Sequence, residues 1–158
     1  DIGWTSRSNI NLEKSLIELG HQVHYFNYQD YNKSDITKLI IYEGLSTKHL
    51  HIHQFNSGKE LAHGDLLIIT RETFFNHAYL VKKINSKIKI VGEIHGPLEY
   101  INENIDLALD CIDCVRVSTA RIKNEFIAKY DYHRVFNQYV NAQHIDLKSE
   151  PINTKRNK

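Results

Sequence analysis

Methionine is missing from this chain altogether, and the sequence begins at Asp1 with no signal-peptide pattern, so it reads as a fragment or a processed chain. Long apolar runs are missing too. No stretch approaches the roughly 20 residues that span a bilayer. An excess of either charge is also lacking, since 20 Lys and Arg meet 19 Asp and Glu for a net charge of +1. That balance removes the general electrostatic reason to expect a nucleic-acid partner and leaves any anion recognition to local groups. The two cysteines imply no disulfide framework, and they fit a reducing, cytoplasmic setting. No internal repeat and no low-complexity tract interrupts the chain. The three-glycine dinucleotide fingerprint is absent as well, which argues against a dehydrogenase or a nucleotide-dependent epimerase.

What is present suits one domain of ordinary size. The 158 residues, 41% hydrophobic and 25% charged, suffice to bury a core without metal or disulfides. Residues 1–148 read as that domain. Residues 149–158 are polar, basic and poor in core residues, which fits an interdomain linker and equally a frayed terminus.

Periodicity predicts alternating helices and strands. Leu12, Leu16 and Leu19 fall at helical spacing over residues 11–19, with Ser8 or Asn9 as cap and Gly20 as stop. A strand follows at His21 to Phe26. Ile36, Leu39 and Ile40 mark a second helix between Asp35 and Gly44, while Leu45 to Gly58 has no clear assignment. Asp65 to Thr70 is a continuous apolar run, the pattern of a strand covered on both faces. Then come a helix over Phe74 to Ile84, a strand at Ile88 to Ile94 and a helix at Ile105 to Leu109. A strand at Cys114 to Ser118, a helix at Ile122 to Tyr130 and a short strand at Arg134 to Phe136 complete the order. This alternation predicts an α/β fold, Rossmann-like and three-layered α/β/α, with a mainly parallel sheet and right-handed crossovers. The strand expected before the first helix is missing or reduced to Asp1-Ile2.

Candidate functional residues gather where strands end, because ligands of open α/β sheets sit beyond the carboxyl ends of the strands. His95-Gly96-Pro97 closes the strand at Ile94. His95 is placed for chemistry or substrate contact; Gly96 permits close approach or an unusual backbone angle, and Pro97 fixes the next φ. Glu93 either orients His95 or lies in solvent. Arg71 and Glu72 end the preceding strand at the same edge, where a surface salt bridge is the plainer reading. The loop from Gly3 to Asn9 precedes the first helix, where free N–H groups receive phosphate; Arg7 adds a charged fork, and Trp4 either stacks on a sugar or covers the core.

Cys111-Ile-Asp-Cys114 has redox spacing, but it enters a strand instead of opening a helix, so two buried thiols are expected. His49, His51 and His53 alternate along one extended segment. They could share a face as a metal pair, but with no carboxylate or cysteine at matching spacing zinc is the weaker reading and scattered polar surface the plainer one.

The order of these features resembles the N-terminal domain of GT-B glycosyltransferases, particularly the retaining group known as family four. Four passages carry the resemblance. Leu16-Ile-Glu-Leu-Gly-His-Gln-Val23 is similar to the family's Leu-x-x-x-Gly-His-x-Val, and His95-Gly96 to its histidine after a central strand. Leu109-Asp-Cys-Ile-Asp-Cys-Val-Arg-Val-Ser118 is similar to its Ala-Asp passage ending in Ser, and Tyr139-Val-Asn-Ala-Gln-His-Ile-Asp146 stands where it has Asn-Gly-Val-Asp. Gly3-Trp4 departs from the family's adjacent glycines, and Asn141-Ala142 from its Asn-Gly.

The resemblance implies one half of a GT-B enzyme, the acceptor-side wall of a cleft. It implies hexose transfer from a nucleotide sugar, as co-substrate, to a carbohydrate or cell-surface glycan, with no cofactor and no essential metal. His95 would contact the transferred sugar or orient the acceptor, and Gly3 and Trp4 would face the donor phosphates. Arg7, Arg71, Glu72, Gly96 and Ser118 would complete the binding surface, and a C-terminal donor-binding domain would supply the other wall. The rival expectation is a non-catalytic, flavodoxin-like binding or regulatory module that uses the same strand ends.

Overall fold

A computed structural model describes residues 4–27, 32–42, 44–45 and 48–137. Its helices are α1 (Trp4–Glu18), α2 (Lys33–Tyr42), α3 (His77–Ile84), α4 (Asp106–Leu109) and α5 (Ala120–Tyr130). Its strands are β1 (Val23–Asn27), β2 (Leu50–Gln54), β3 (Leu66–Ile69), β4 (Lys89–Ile94), β5 (Cys114–Val117) and β6 (Val135–Asn137). Single 3₁₀ turns occupy Lys59–His63, Glu72–Phe74 and Leu98–Tyr100. The strands form two parallel sheets, β1-β2 and β3-β4-β5-β6, so the chain is an α/β protein as its alternation predicts.

The first helix departs from expectation. It begins at Trp4, so residues 4–9, read as a loop, already form its first turns, and Ser8 and Asn9 are interior rather than capping. Its inward stripe is Ile10, Glu13 and Ile17, the same helical spacing rotated away from Leu12, Leu16 and Leu19. Leu19 is 74% exposed. Gly20 does stop the helix, at φ +86°, with its N–H donating to the Ile17 carbonyl and the His21 N–H to that of Leu16. That double bond is a Schellman closure, and the left-handed angle is one that glycine takes without a β-carbon penalty.

The segment left unassigned contains β2. Val23 pairs with Leu50 and Tyr25 with Ile52, and these four pack with Ile10, Ile40 and Leu45 in a small core. The alternate residues His24, Phe26, His51 and His53 fall on the opposite face of the pair.

The larger core lies on one face of the four-stranded sheet. Ile69, Ile90, Ile94, Val115, Val117 and Val135 share it with Ala78 and Val81 of α3, Ala108 and Leu109 of α4, and Ile122 and Phe126 of α5. This follows from topology. Strands added in one direction with right-handed crossovers put every connecting helix on the same side. On the other face, Leu66 is 47% exposed and Ile68, Val91 and Cys114 are half-buried, so β3 is not covered on both faces by the described residues.

Two local devices hold the sheet. Gly92 leaves the space that Phe75 fills, since a β-carbon there would stand 2.5 Å from the ring. Asp113, between α4 and β5, accepts from Lys82 Nζ at 2.9 Å and from the Ile90 N–H at 2.8 Å. Burial pushes its carboxyl up, but these bonds and the Lys82 charge hold it below its ordinary value. At the end of α5, Tyr132 donates its hydroxyl to the Ile112 carbonyl at 2.7 Å in a buried bond.

Candidate functional site

The strand alternation that buries Ile94 on the helix side sends Glu93 and His95 together to the other face. Register places Arg116 of β5 directly beside Glu93. Glu93 is 1% exposed and makes an ion pair with Arg116 through Oε1 and Nη2, while its Oε2 lies 2.9 Å from His95 Nε2. Of the two roles open to Glu93 in the sequence, orienting His95 is the one the structure bears out. A carboxylate so buried needs a charged partner, and Arg116 provides it.

The contact also sets the histidine's tautomer. Glu93 accepts the Nε2 hydrogen, which leaves Nδ1 as the ring nitrogen with a lone pair. Burial pushes the His95 pKa below its ordinary value; the Glu72 charge opposes this and the Arg71 charge adds to it. A ring held neutral in this way acts as a hydrogen-bond acceptor or a base near neutral pH.

Arg71 and Glu72 therefore do belong to the surroundings of His95. Arg71 is exposed and extended, at φ −146°, and Glu72 opens the 3₁₀ turn after β3. Ser118 follows β5 and is exposed, one residue before Thr119, whose side chain caps α5 by accepting from the Ile122 N–H at 3.2 Å. Burial lowers the Arg116 pKa from its ordinary value, and Arg116 Nε has no hydrogen-bond partner among the described residues. That Nε–H is itself enclosed, a buried donor that these residues leave without a protein partner.

Other expectations are corrected. Gly96 does not adopt a left-handed angle, and a β-carbon there would make only an ordinary 3.8 Å contact with Tyr100, so what it keeps is open space. Trp4 and Arg7 lie within α1 instead of a loop before it. Gly3, the passage from Tyr139 to Asp146 and the segment 149–158 lie outside the described residues. Cys111 and Cys114 are free and half-buried rather than fully buried. Desolvation and the neighbouring Asp110 and Asp113 push the two thiols up, which disfavours the reactive thiolate.

Sequence reasoning missed Arg116 and Glu13. An arginine alternating with valines in an apolar strand was the signal for the first. Glu13, 8% exposed on the inward stripe of α1, has its carboxyl pushed up by burial to about 7. Among the described residues no helix is long and apolar enough to cross a membrane, and no three His, Cys, Asp or Glu side chains converge as a metal site. No family model, curated protein or solved structure matches the chain.

Proposed function

We propose that this chain is the acceptor-side half of a GT-B glycosyltransferase, transferring a hexose from a nucleotide sugar to a carbohydrate or cell-surface glycan hydroxyl in the cytoplasm. The observation that carries the reading is the Glu93–His95–Arg116 constellation at the carboxyl ends of β4 and β5, flanked by the charges of Arg71 and Glu72. Its position is where an open parallel sheet binds ligands, and the ordered resemblance of His95-Gly96 and its neighbouring motifs supplies the reaction class.

In this reading Glu93 holds His95 as the Nε2–H tautomer, and Nδ1 accepts a hydrogen bond from a hydroxyl of the sugar or acceptor. Arg116 pairs with Glu93 through Nη2 and so fixes the carboxylate that holds His95. Arg71 attracts the anionic donor, and Gly96 and Ser118 leave room for a sugar ring. By the resemblance, Gly3 and Trp4 are assigned to the donor phosphates, to which Arg7 would add a charged fork. A companion domain closes the cleft and contributes the nucleotide contacts, no resident cofactor is required, and a second helix layer completes the three-layered fold.

The test is transfer by this chain joined to its downstream domain, with nucleotide sugars and oligosaccharide acceptors as substrates. His95→Ala is expected to lower kcat at least about a hundredfold, the scale of general acid–base or oriented hydrogen-bond catalysis. Unchanged turnover in that variant removes His95 from the reaction. Glycan binding without transfer by the joined protein favours the non-catalytic module instead.

A further inference from the structure

Each of the two sheets ends on a strand with an open edge. β3 is the run Leu66-Leu67-Ile68-Ile69, the composition of a parallel strand with neighbours on both sides, yet it pairs with β4 alone. Leu66 is 47% exposed, whereas Ile90 of β4 and Val115 of β5 are fully buried. β1 likewise pairs with β2 alone. Among the described residues no strand lies against the other edge of either. An apolar open edge is a feature that folded proteins cover.

The bonds already made identify the groups these edges present. The Val23 N–H donates to the His49 carbonyl, and the Lys89 N–H to the Asp65 carbonyl. In a parallel ladder the peptide groups of alternate residues point to opposite sides. His24 and Phe26 of β1, and Leu66 and Ile68 of β3, therefore turn their N–H and C=O groups to the open edges. Both edges belong to parallel pairs, so one strand running the same way can satisfy both.

We propose that one further parallel strand, running directly into α1 from the polypeptide ahead of it, lies between β1 and β3. It joins the two sheets into one of seven strands, in the order β2, β1, the added strand, β3, β4, β5, β6. Connectivity selects this occupant over a partner chain. α1 packs on the face of Val23, Tyr25, Leu50 and Ile52, as the crossover helix of a strand–α1–β1 unit does, and a strand feeding it pairs beside β1. Winding from the added strand to β1 and β2 runs opposite to winding through β3 to β6. Right-handed crossovers then place α1 and α2 on the face opposite α3, α4 and α5. That is the face on which Leu66 is exposed and Ile68, Val91 and Cys114 are only half-buried. The link from β2 to β3 is long enough to pass an inserted strand. Residues 55–65, with their 3₁₀ turn rising about 2 Å per residue, reach about 30 Å. The path back along one strand and across three strand spacings is about 22 Å. Winding reverses at the added strand, and the crevice that such a reversal opens lies at the carboxyl end of β3, where Arg71 and Glu72 stand.

The gene's codons ahead of Asp1 give the first test: they are expected to encode a run of about four to eight mainly apolar residues, ending within about six residues of Trp4. Amide exchange followed by NMR then compares the 158-residue chain with the same chain extended upstream through that run. The N–H groups of His24, Phe26, Leu66 and Ile68 should all slow at least about tenfold in the extended chain, relative to the already bonded N–H groups of Val23 and Lys89. Proline at the centre of the run should abolish that slowing, with circular dichroism reporting that the chain still folds. A polar sequence in place of the run overturns the proposal. So does unchanged exchange, slowing at only one of the two edges, or slowing that survives the proline. Protection in the 158-residue chain that grows with its concentration assigns the edges to a second copy and overturns it too.

Discussion

Glu93 and Arg116 face each other in register across β4 and β5, and their ion pair joins the two strands where His95 is held. Removing one partner strands the other. Arg116→Met is expected to cost about 3–5 kcal/mol, because the Glu93 carboxylate is left buried without compensation. The double variant Glu93→Gln, Arg116→Met should lose less than Arg116→Met alone. Urea unfolding of the three proteins checks this; a double variant at least as unstable as the single one contradicts it.

Gly92 is a packing requirement set by a ring. Gly92→Ala forces its new methyl group into Phe75 and is expected to destabilise by about 1–3 kcal/mol. Phe75→Leu in the same chain should recover part of that loss. Additive losses in thermal or denaturant unfolding would show that the two positions do not share one space.

Glu13 ties stability to pH. Its folded-state value, about 7, lies above its ordinary 4.5, so the folded protein holds this proton more tightly than the unfolded chain. The associated stability is fully present below about pH 4.5 and is lost as pH rises through about 7. Glu13→Gln should therefore raise stability above pH 7 by up to about 3 kcal/mol and make little difference at pH 4. Thermal melts of both proteins from pH 4 to 8 decide it. A gap that does not widen with pH refutes the assignment.

Asp113 behaves in the opposite sense. Its carboxyl is held below the ordinary value, so its contribution is present above about pH 4 and fades as pH falls through the depressed value. Asp113→Asn is expected to cost about 1 kcal/mol at neutral pH, a modest figure because the side chain is partly in water. The difference from wild type in urea unfolding should shrink on acidification.

The elements most legible in the sequence were those with uninterrupted periodicity. Strands β4 and β5 and helix α5 appear within two residues of their expected bounds, because their apolar spacing is a local signal. β2 was not assigned, since three of its five residues are His or Gln and only Leu50 and Ile52 carry the alternation. The rotation of α1 was hidden for a related reason. An inward Glu13 breaks the apolar stripe that would have identified the buried side, and Leu19 offered a false one.

The site was half legible. His95 was placed by its position after an apolar strand, and Glu93 by its alternation with Ile94. Arg116 is twenty-three positions from Glu93 in sequence, and nothing local announces that the two strands bring them side by side. Register is a property of the assembled sheet.

The uniform order β3-β4-β5-β6 also bears on how the chain reaches its fold. Each strand pairs with the one just before it in sequence, so every new βαβ step closes a loop of only about twenty residues, and local closures of that kind favour rapid folding. The sheet is able to grow from β3 onward as the polypeptide leaves the ribosome, with no waiting for distant segments. The ion pair that orders His95 forms only when β5 arrives, which makes the site a late product of that growth and an indicator that assembly has reached it.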